Sequence, residues 1–553
     1  MLSYEQRGKM SRVSRVGLLV LVIASAFLGC QSGSAGSTQR RAAQLAQKPW
    51  VVVNSARFEI FSSMSEEATK ALALDLERFH ALVYATTTAA KRPSSIPTRI
   101  YAFDNPRDYG RFGPEGSAGV FMPGLRSNAI LVTDYSVGLG AADLILHEYV
   151  HFVVRNNTAT AYPTWYDEGF ADFLSTAQIH KDMIAVGATP RSHIRTFEMG
   201  EWVPIRQIIS AIGTRSYEFK EEWMFYPEAW ALVHYLTLDR PREAGSFPEQ
   251  LARYLELTKR GAKPAPAFET AFGEDLSKID FTIRRKIDSG KMRVIGIPIA
   301  SLDFDDSEPS VRIATEAEAS ARMGVLALRT GQMKEAGQYF RQAAELDPTN
   351  ATAQAGLGCY HKFGGRFEEA EPFFEKALEL SPQDPWIQLD LAEFYMARAE
   401  QATSRKVRRS DLAQARRLFR AVIEMAPEIP EAHAKLGRSY LLAGESAKDG
   451  IDSLEKAFKI LPSSFVVARS YVAGNLALGE RAIAEDVMRL VFASRMADKK
   501  EKGSFDEELD EMEKSREKAE QEFAKLPEIE SETDANPEQG GSPDANDVPA
   551  EAP

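Results

Sequence analysis

The sequence predicts two folded regions of different class: an α+β domain over residues 49–290 and an all-α repeat solenoid over residues 314–496. Three observations predict this division. Short β-type segments and helical segments share the first region, a histidine pair stands there at helical spacing, and small residues and prolines recur at a regular interval in the second. A chain of 553 residues is also too long for one hydrophobic core.

The composition limits the classes of function. The net charge is −12, which gives no electrostatic footprint for nucleic acid, so no nucleic-acid partner is expected. The hydrophobic content of 44% is enough for packed cores over most of the length. The two cysteines, Cys30 and Cys359, are too far apart in the chain to suggest a disulfide framework or a cysteine metal cluster.

The N-terminus has the pattern of a secretory signal over residues 1–30. A segment with Arg7, Lys9, Arg12 and Arg15 precedes a short apolar core, residues 16–28, and Cys30 follows. This pattern resembles a bacterial lipoprotein signal, which implies that Cys30 is lipidated and anchors the protein to a membrane of the cell envelope. The polar residues 31–48 then form a linker.

The same resemblance, with a residue other than Asp after the cysteine, implies the outer membrane, with the protein facing the periplasm. The alternative is an uncleaved anchor or a plain signal peptide in which Cys30 is incidental.

The elements of the α+β domain follow from hydrophobic periodicity and turn residues. Strands are predicted at 50–53, 58–61, 98–103, 119–122 and 128–132, and helices at 66–84, 141–154, from about 163, and at 226–238. Further helices are expected to about residue 290. The sequence therefore predicts a mixed sheet followed by a helical lobe.

The predicted helix 141–154 contains His147, Glu148 and His151. Residues four apart lie on one face of a helix, so the two imidazoles can bind a single metal ion, and Glu148 beside them can act as a general base. With eight histidines in the whole chain, accident is a poor explanation of this spacing. The alternative is a histidine pair that makes only local hydrogen bonds.

Glu168, on the next helix, is the predicted third ligand of one Zn²⁺ ion with an open water position. Asp167 is its rival. Glu168 is preferred because Asp172 then falls one turn later, where it can accept a hydrogen bond from a ligand histidine. For Asp172, the alternative is a solvated helix carboxylate.

These motifs resemble those of the gluzincins, the thermolysin-type clan of zinc metallopeptidases. The matching residues are His147-Glu148-x-x-His151, Trp165-x-x-Glu168-Gly169-x-Ala171 and Phe272-Gly273, and the resemblance covers about residues 48–290. It implies a zinc-dependent peptidase. It supports Asp172 as the residue that orients a ligand histidine, and it implies Tyr226 rather than His234 as the oxyanion donor, although a core tyrosine is equally expected there.

Residues 291–313 are expected to be an irregular linker. Beyond it, Pro348, Pro382, Pro427 and Pro462 are separated by 34, 45 and 35 residues, with small residues and phenylalanines in the same phase. This period is typical of tetratricopeptide repeats, about four with a partial fifth, and the step of 45 is interpreted as one repeat plus a basic loop near Arg405. Residues 497–553 are expected to form a charged helix and a disordered acidic tail.

The sequence therefore predicts a lipid-anchored zinc peptidase that acts on protein or peptide substrates, with repeats that bind a substrate or a protein partner. The strand 128–132 is a candidate for the edge that binds an extended substrate. The alternative function is an envelope scaffold or assembly lipoprotein whose peptidase domain has little or no turnover. An aminopeptidase is a third hypothesis, for which no acidic amine-binding motif precedes His147.

Overall fold

The computed structural model describes residues 44–87, 96–133, 140–157, 162–211, 222–442, 447–496 and 505–526. The predicted signal segment with Cys30 and the acidic tail lie outside these residues. Within these ranges, none of the helices combines the length and the apolar character that crossing a membrane requires.

In the described part of the N-terminal domain, six strands form a mixed sheet in the order β4-β5-β3-β2-β1-β9. Its strands are β1 (Val51–Asn54), β2 (Phe58–Ser62), β3 (Thr98–Phe103), β4 (Gly119–Met122), β5 (Asn128–Thr133) and β9 (Ser310–Ile313). Strands β2, β3 and β5 are parallel, whereas β4, β1 and β9 are each antiparallel to a neighbour. The predicted strands and the mixed sheet are confirmed.

Both faces of the sheet are buried over strands β1 to β5, and alternate residues of these strands serve different cores, whereas β9 is largely exposed. In β5, Ile130 and Val132 pack with the helices of the N-terminal domain. Ala129 and Leu131 pack on the opposite face, against the first helices of the repeat region. The repeat array therefore covers one face of the sheet and belongs to the same packed body.

The helices of the N-terminal domain surround the other face of the sheet and form the predicted helical lobe. They are α1 (Glu66–Thr86), α2 (Pro106–Tyr109), α3 (Gly140–Asn157), α4 (Thr164–Ser175), α5 (Arg191–Met199), α6 (Ile205–Ser210), α7 (Phe225–His234), α8 (Phe247–Lys259), α9 (Pro264–Phe272) and α10 (Leu276–Asp288). A π-helical turn, Tyr235–Asp239, extends α7.

The structure corrects the predicted linkers. Residues 291–313 contain two strands: β9, which pairs with β1, and β8 (Ile295–Pro298), which joins β6 (Gln178–Ile179) and β7 (Met183–Val186) in a three-stranded sheet. These strands were missed because they are short and their partners lie more than 100 residues away. The end of the linker 31–48 is also packed, since Leu45 is buried and accepts a hydrogen bond from the Trp50 indole.

The described residues of the C-terminal region contain five helix pairs, in agreement with the predicted repeats. They are α11 (Glu316–Arg329) with α12 (Met333–Leu346), α13 (Ala351–Phe363) with α14 (Phe367–Leu380), α15 (Pro385–Gln401) with α16 (Arg405–Met425), α17 (Pro430–Leu442) with α18 (Lys448–Ile460), and α19 (Phe465–Ala477) with α20 (Arg481–Met496). A last helix, α21, spans Phe505–Lys525.

Small residues allow the two helices of a repeat to approach closely. A Cβ atom added to Gly324 would lie 2.6 Å from the Phe340 ring, and one added to Gly358 would lie 2.9 Å from Phe374. Cys359 is buried, as predicted for a small apolar residue. The insertion in the third repeat is not a loop: Arg405 begins α16, and the extra residues lengthen α15 and α16.

Candidate metal centre

Helices α3 and α4 pack against each other and bring the predicted ligands together. His147 and His151 lie one turn apart on α3, and both are buried. Glu168 lies in the first half of α4, which begins directly after Pro163. Gly169 permits the close packing of α4 on α7, because an added Cβ would lie 2.4 Å from the carbonyl oxygen of Ala229.

The ligand atoms converge in a compact triangle. His147 Nε2 lies 3.1 Å from His151 Nε2 and 3.2 Å from Glu168 Oε2, and His151 Nε2 lies 3.4 Å from the same oxygen. A tetrahedral zinc ion with bonds of about 2.0–2.1 Å requires ligand atoms about 3.3 Å apart. The three side chains therefore fit a zinc ion, and they are the one such group found in the described part of the chain.

Asp167, the rival ligand, has a different place. Its Oδ1 lies 3.3 Å from His151 Nδ1, and its Oδ2 accepts a hydrogen bond of 3.1 Å from Arg155 Nε. It thus contacts the ring nitrogen of His151 that faces away from the ligand triangle. A carboxylate in this position fixes the orientation of a ligand histidine and raises its basicity. The structure favours Glu168 as the third ligand.

Asp172 lies near His147, but the predicted hydrogen bond is not formed. Asp172 Oδ1 is 3.9 Å from His147 Nδ1, whereas Oδ2 is 2.6 Å from His193 Nε2. His193, on α5, is a closer partner for the carboxylate than the ligand histidine is. No sequence pattern pointed to His193, because α5 is far from α3 in the chain. Arg155 follows His151 by four residues on α3, a spacing that could have indicated its place.

The charges of the cluster suit a cation. Burial and Arg155 lower the pKa of His151, but the carboxylates of Asp167 and Glu168 outweigh them and raise it to about 9. Burial raises the pKa of Glu168, yet His151 and His147 hold it well below its usual range. Glu168 is therefore ionised at neutral pH, and a metal ion would take the place of a proton on His151.

Glu148, the predicted general base, lies on α3 between the two histidines and is half-buried. Its charge contributes to the raised pKa of Arg155, for which Asp167 and Glu168 are the stronger causes and burial is an opposing one. Glu148 therefore shares an electrostatic environment with the carboxylates of the candidate metal centre.

Tyr226, the predicted oxyanion donor, lies in the first turn of α7 and is half-buried. Its ring lies edge-on to the His147 ring, with centroids 6.3 Å apart. His234, the other candidate, is fully buried, and its Nε2 lies 3.0 Å from the carbonyl oxygen of Gly187 and 2.9 Å from that of Arg293. His234 thus links α7 to two other segments, and Tyr226 is the candidate beside the metal centre.

The edge strand of the sheet next to α3, the helix with the two histidines, is β4 and not β5. Strand β5, the predicted edge, is hydrogen-bonded on both sides, to β3 and to β4. Strand β4 packs on α3, where the rings of Phe121 and Phe152 lie 5.9 Å apart. The strand order could not be predicted, because it depends on crossovers between distant segments.

Comparison with known families identifies the repeat region. Two family models described as tetratricopeptide repeat match residues 315–383 and 404–464. The C-terminal half is therefore a tetratricopeptide-like helical solenoid, and such repeats indicate protein–protein interaction. No curated protein matches the chain.

Similar solved structures include a thermophilic TPR protein of Thermus thermophilus, with 19% identity, coverage of 37% of this chain and 98% of that one, and a TM-score of 0.30. MamA from Desulfovibrio magneticus has 20% identity, with coverages of 33% and 97% and a TM-score of 0.27. PilF of Pseudomonas aeruginosa has 16% identity, with coverages of 38% and 96% and a TM-score of 0.29.

Proposed function

We propose that this chain is a zinc-dependent peptidase of the gluzincin type that hydrolyses peptide bonds in proteins of the bacterial cell envelope. The observation that supports it most is the triangle of His147 Nε2, His151 Nε2 and Glu168 Oε2, whose sides are 3.1–3.4 Å. Two imidazoles and a carboxylate are the protein ligands of hydrolytic zinc sites that keep one position open for water.

A zinc ion held by these residues supplies Lewis-acid chemistry, which polarises a peptide carbonyl group and lowers the pKa of water. The carboxylate of Glu148 takes the proton of the attacking water and returns it to the nitrogen of the departing amine. The hydroxyl group of Tyr226 donates a hydrogen bond to the negative charge that develops on the carbonyl oxygen. Asp167 keeps the His151 ring in its orientation.

Strand β4 offers a place for the substrate backbone. It lies at the edge of the sheet, antiparallel to β5, and packs on the helix with the two histidines. An extended peptide can pair with such an edge through main-chain hydrogen bonds. Substrate binding at β4 therefore brings a peptide bond towards the metal centre.

The proposed location is the cell envelope, with the protein held to the outer membrane by a lipid on Cys30 and facing the periplasm. The support is the order of basic, apolar and cysteine-containing segments over residues 1–30. The repeats then bind a substrate or a protein partner near the membrane surface.

A second candidate function is an envelope scaffold with little or no turnover. The match of residues 315–383 and 404–464 to tetratricopeptide repeats supports it, because these repeats are interaction modules. Zinc content alone does not separate the two functions, so the decisive quantity is peptide-bond cleavage.

The experiment measures zinc content and cleavage of a mixed fluorogenic peptide library by the full-length chain and by Glu148→Gln. We expect one zinc per chain in both proteins, and a rate at least about 100-fold lower in the variant, since general acid–base catalysis contributes at least that much. Glu198→Gln, an exposed glutamate on α5, is the matched control and should retain the full rate. Zinc-loaded wild type that cleaves nothing would favour the scaffold.

A further inference from the structure

The turn between β4 and β5, residues 123–127, inserts into the repeat array. Arg126 Nη1 donates a hydrogen bond of 2.6 Å to Asp390 Oδ1, and Arg126 Nε donates one of 3.1 Å to Glu431 Oε2. A third carboxylate oxygen, on Glu393, lies 3.9 Å from Nη2. The three carboxylates stand on α15 and α17, so two successive repeats contribute to one site.

These helices belong to the inner face of the array, which we define as the surface formed by the first helices of the pairs, α11, α13, α15 and α17. Each of these first helices packs on the first helix of the following pair. In repeat proteins of this kind such a continuous surface is the usual binding surface for a partner. Here part of it is occupied by a segment of the same chain.

Other contacts fix the turn on both sides of Arg126. Arg329, on α11, donates hydrogen bonds to the carbonyl oxygens of Met122 (2.5 Å) and Ser127 (2.8 Å). Leu125 packs against a small apolar cluster that contains Ala434 and Val467. Residues of four repeats therefore hold a turn of five residues, and a contact of this extent fixes the end of β4 as well.

The array also contacts the C-terminal end of α3, the helix with the two histidines. Ser463, between α18 and α19, donates a hydrogen bond of 2.5 Å to Asn156, five residues beyond the ligand His151. Leu461 is buried in the main core of the N-terminal domain. The repeats thus contact β4, the proposed substrate-binding strand, and α3, the helix that carries the two histidines.

The charges of this site explain why an arginine is required. Lys362 and Lys435 lie 3.4 Å and 3.1 Å from Glu393, which leaves Asp390 and Glu431 to be paired by Arg126. All three carboxylates are largely buried, and a buried charge without its partner is costly. Arginine fits because its planar fork can donate to two carboxylates at once.

We propose that the inner face of the array is a binding site for an arginine-bearing turn, and that the protein fills this site with its own β4–β5 turn. By holding this turn, the repeats keep β4 in place beside α3, the helix with the two histidines. Arg126 is the positioning residue of this internal clamp. The clamp itself does not require peptidase activity; only its effect on turnover rests on the proposed function.

The test compares Arg126→Ala and Arg126→Lys with wild type in the full-length protein. The matched control is Arg398→Ala. Arg398 lies on α15, beside the carboxylates of the site, and has the same side-chain exposure as Arg126, 29%, but it pairs with Glu371 and Asp411 inside the array. The readout is amide hydrogen exchange of β4 and of residues 123–127, with thermal unfolding as the check on the global fold.

We expect Arg126→Ala to accelerate exchange in β4 and in the turn by about tenfold or more, because a local segment loses its anchor while the rest of the domain stays folded. Arg126→Lys should restore part of the protection, and Arg398→Ala should leave β4 unchanged. Equal exchange of β4 in wild type and Arg126→Ala would overturn the proposal. So would equal acceleration in Arg126→Ala and Arg398→Ala.

A second measurement connects the clamp to catalysis. In Arg126→Ala we expect unchanged zinc content and a kcat/KM for peptides that falls mainly through a higher KM, because the edge strand that binds the substrate is no longer fixed. An unchanged KM with accelerated exchange would overturn the proposed role in substrate binding. If the wild type cleaves no peptide, the proposed function fails, and the exchange result still decides whether the clamp exists.

Discussion

Two clusters in this molecule each contain buried carboxylates and differ in the group on which those carboxylates converge. At the candidate metal centre, one nitrogen of each imidazole and one oxygen of Glu168 lie 3.1–3.4 Å from one another. In the repeat array, Asp390 and Glu431 converge on Arg126, which the chain itself supplies. A cluster that contains its own cation stabilises the fold, whereas one whose donor atoms converge on each other is suited to an ion from solution.

Substitution of the predicted metal ligands should show the difference between the two clusters most clearly, because it should weaken zinc binding and leave the array folded. His147→Ala and Glu168→Ala should each lower zinc affinity by more than about 100-fold, since even residues that only orient ligands contribute 10–100-fold. Zinc retained after dialysis against a competing chelator gives the affinity. The array should stay folded, because its cluster needs no metal; loss of its helicity together with zinc would contradict the distinction.

The residues that orient the ligands should differ in importance. Asp167→Asn should lower zinc affinity by about 10–100-fold, because Asp167 contacts His151 Nδ1 at 3.3 Å. Asp172→Asn should have a smaller effect on affinity, since Asp172 lies 3.9 Å from His147 and pairs with His193 instead. Competition titrations with a chelating dye measure both constants, and equal losses would show that the 3.9 Å distance closes when zinc binds.

In the array, the coupling between Arg126 and Asp390 should appear as an interaction free energy. A double-mutant cycle with Arg126→Ala and Asp390→Ala should give about 1–2 kcal/mol, the range of a charge-assisted hydrogen bond that is partly exposed. Urea unfolding of the four proteins measures it, provided that zinc is saturating in each. Additive effects of the two substitutions would mean that this contact does not hold the turn.

A carboxylate outside both clusters, Glu228, tests what happens when a buried acid forms no ion pair among the described residues. Glu228 is fully buried; one oxygen accepts a hydrogen bond from the Val203 amide, and the other has no hydrogen-bond partner among the described residues. Burial raises its pKa to about 9, although the Val203 amide opposes the shift. The folded state therefore favours the protonated acid.

Because the folded-state pKa is raised, the stability that Glu228 contributes is full below about pH 4.5 and is lost as pH rises towards 9, with a slope of at most about 1.4 kcal/mol per pH unit. Glu228→Gln should flatten the pH dependence of the free energy of unfolding in this window. Chemical unfolding at several pH values measures it, and parallel curves for the two proteins would refute the assignment.

The proximity of His147, His151 and Glu168 was predictable from the sequence because their geometry is local. His147 and His151 are four residues apart on one helix, and Glu168 follows at the start of the next helix, which packs directly on the first. The repeat phase was predictable for the same reason, since small residues such as Gly324 contact a side chain in the paired helix.

What the sequence did not reveal depends on contacts between distant segments. Arg126 and Asp390 are 264 residues apart, and nothing in the local sequence of either indicates the other. Nothing in the local sequence indicates that His193 lies within hydrogen-bond distance of the Asp172 carboxylate. Nor does it indicate that β9 pairs with β1, which makes the predicted linker part of the sheet. Periodicity predicts elements, but it does not predict which element packs on which.

Zinc X-ray absorption on the full-length protein, with the metal content determined in parallel, is the decisive check on the metal centre. We expect one zinc per chain, with two imidazole nitrogens and a carboxylate oxygen among its ligands at about 2.0–2.2 Å, and loss of this signal in His151→Ala. Protein that takes up no zinc, or that keeps the same spectrum in the variant, would contradict the assignment of His147, His151 and Glu168.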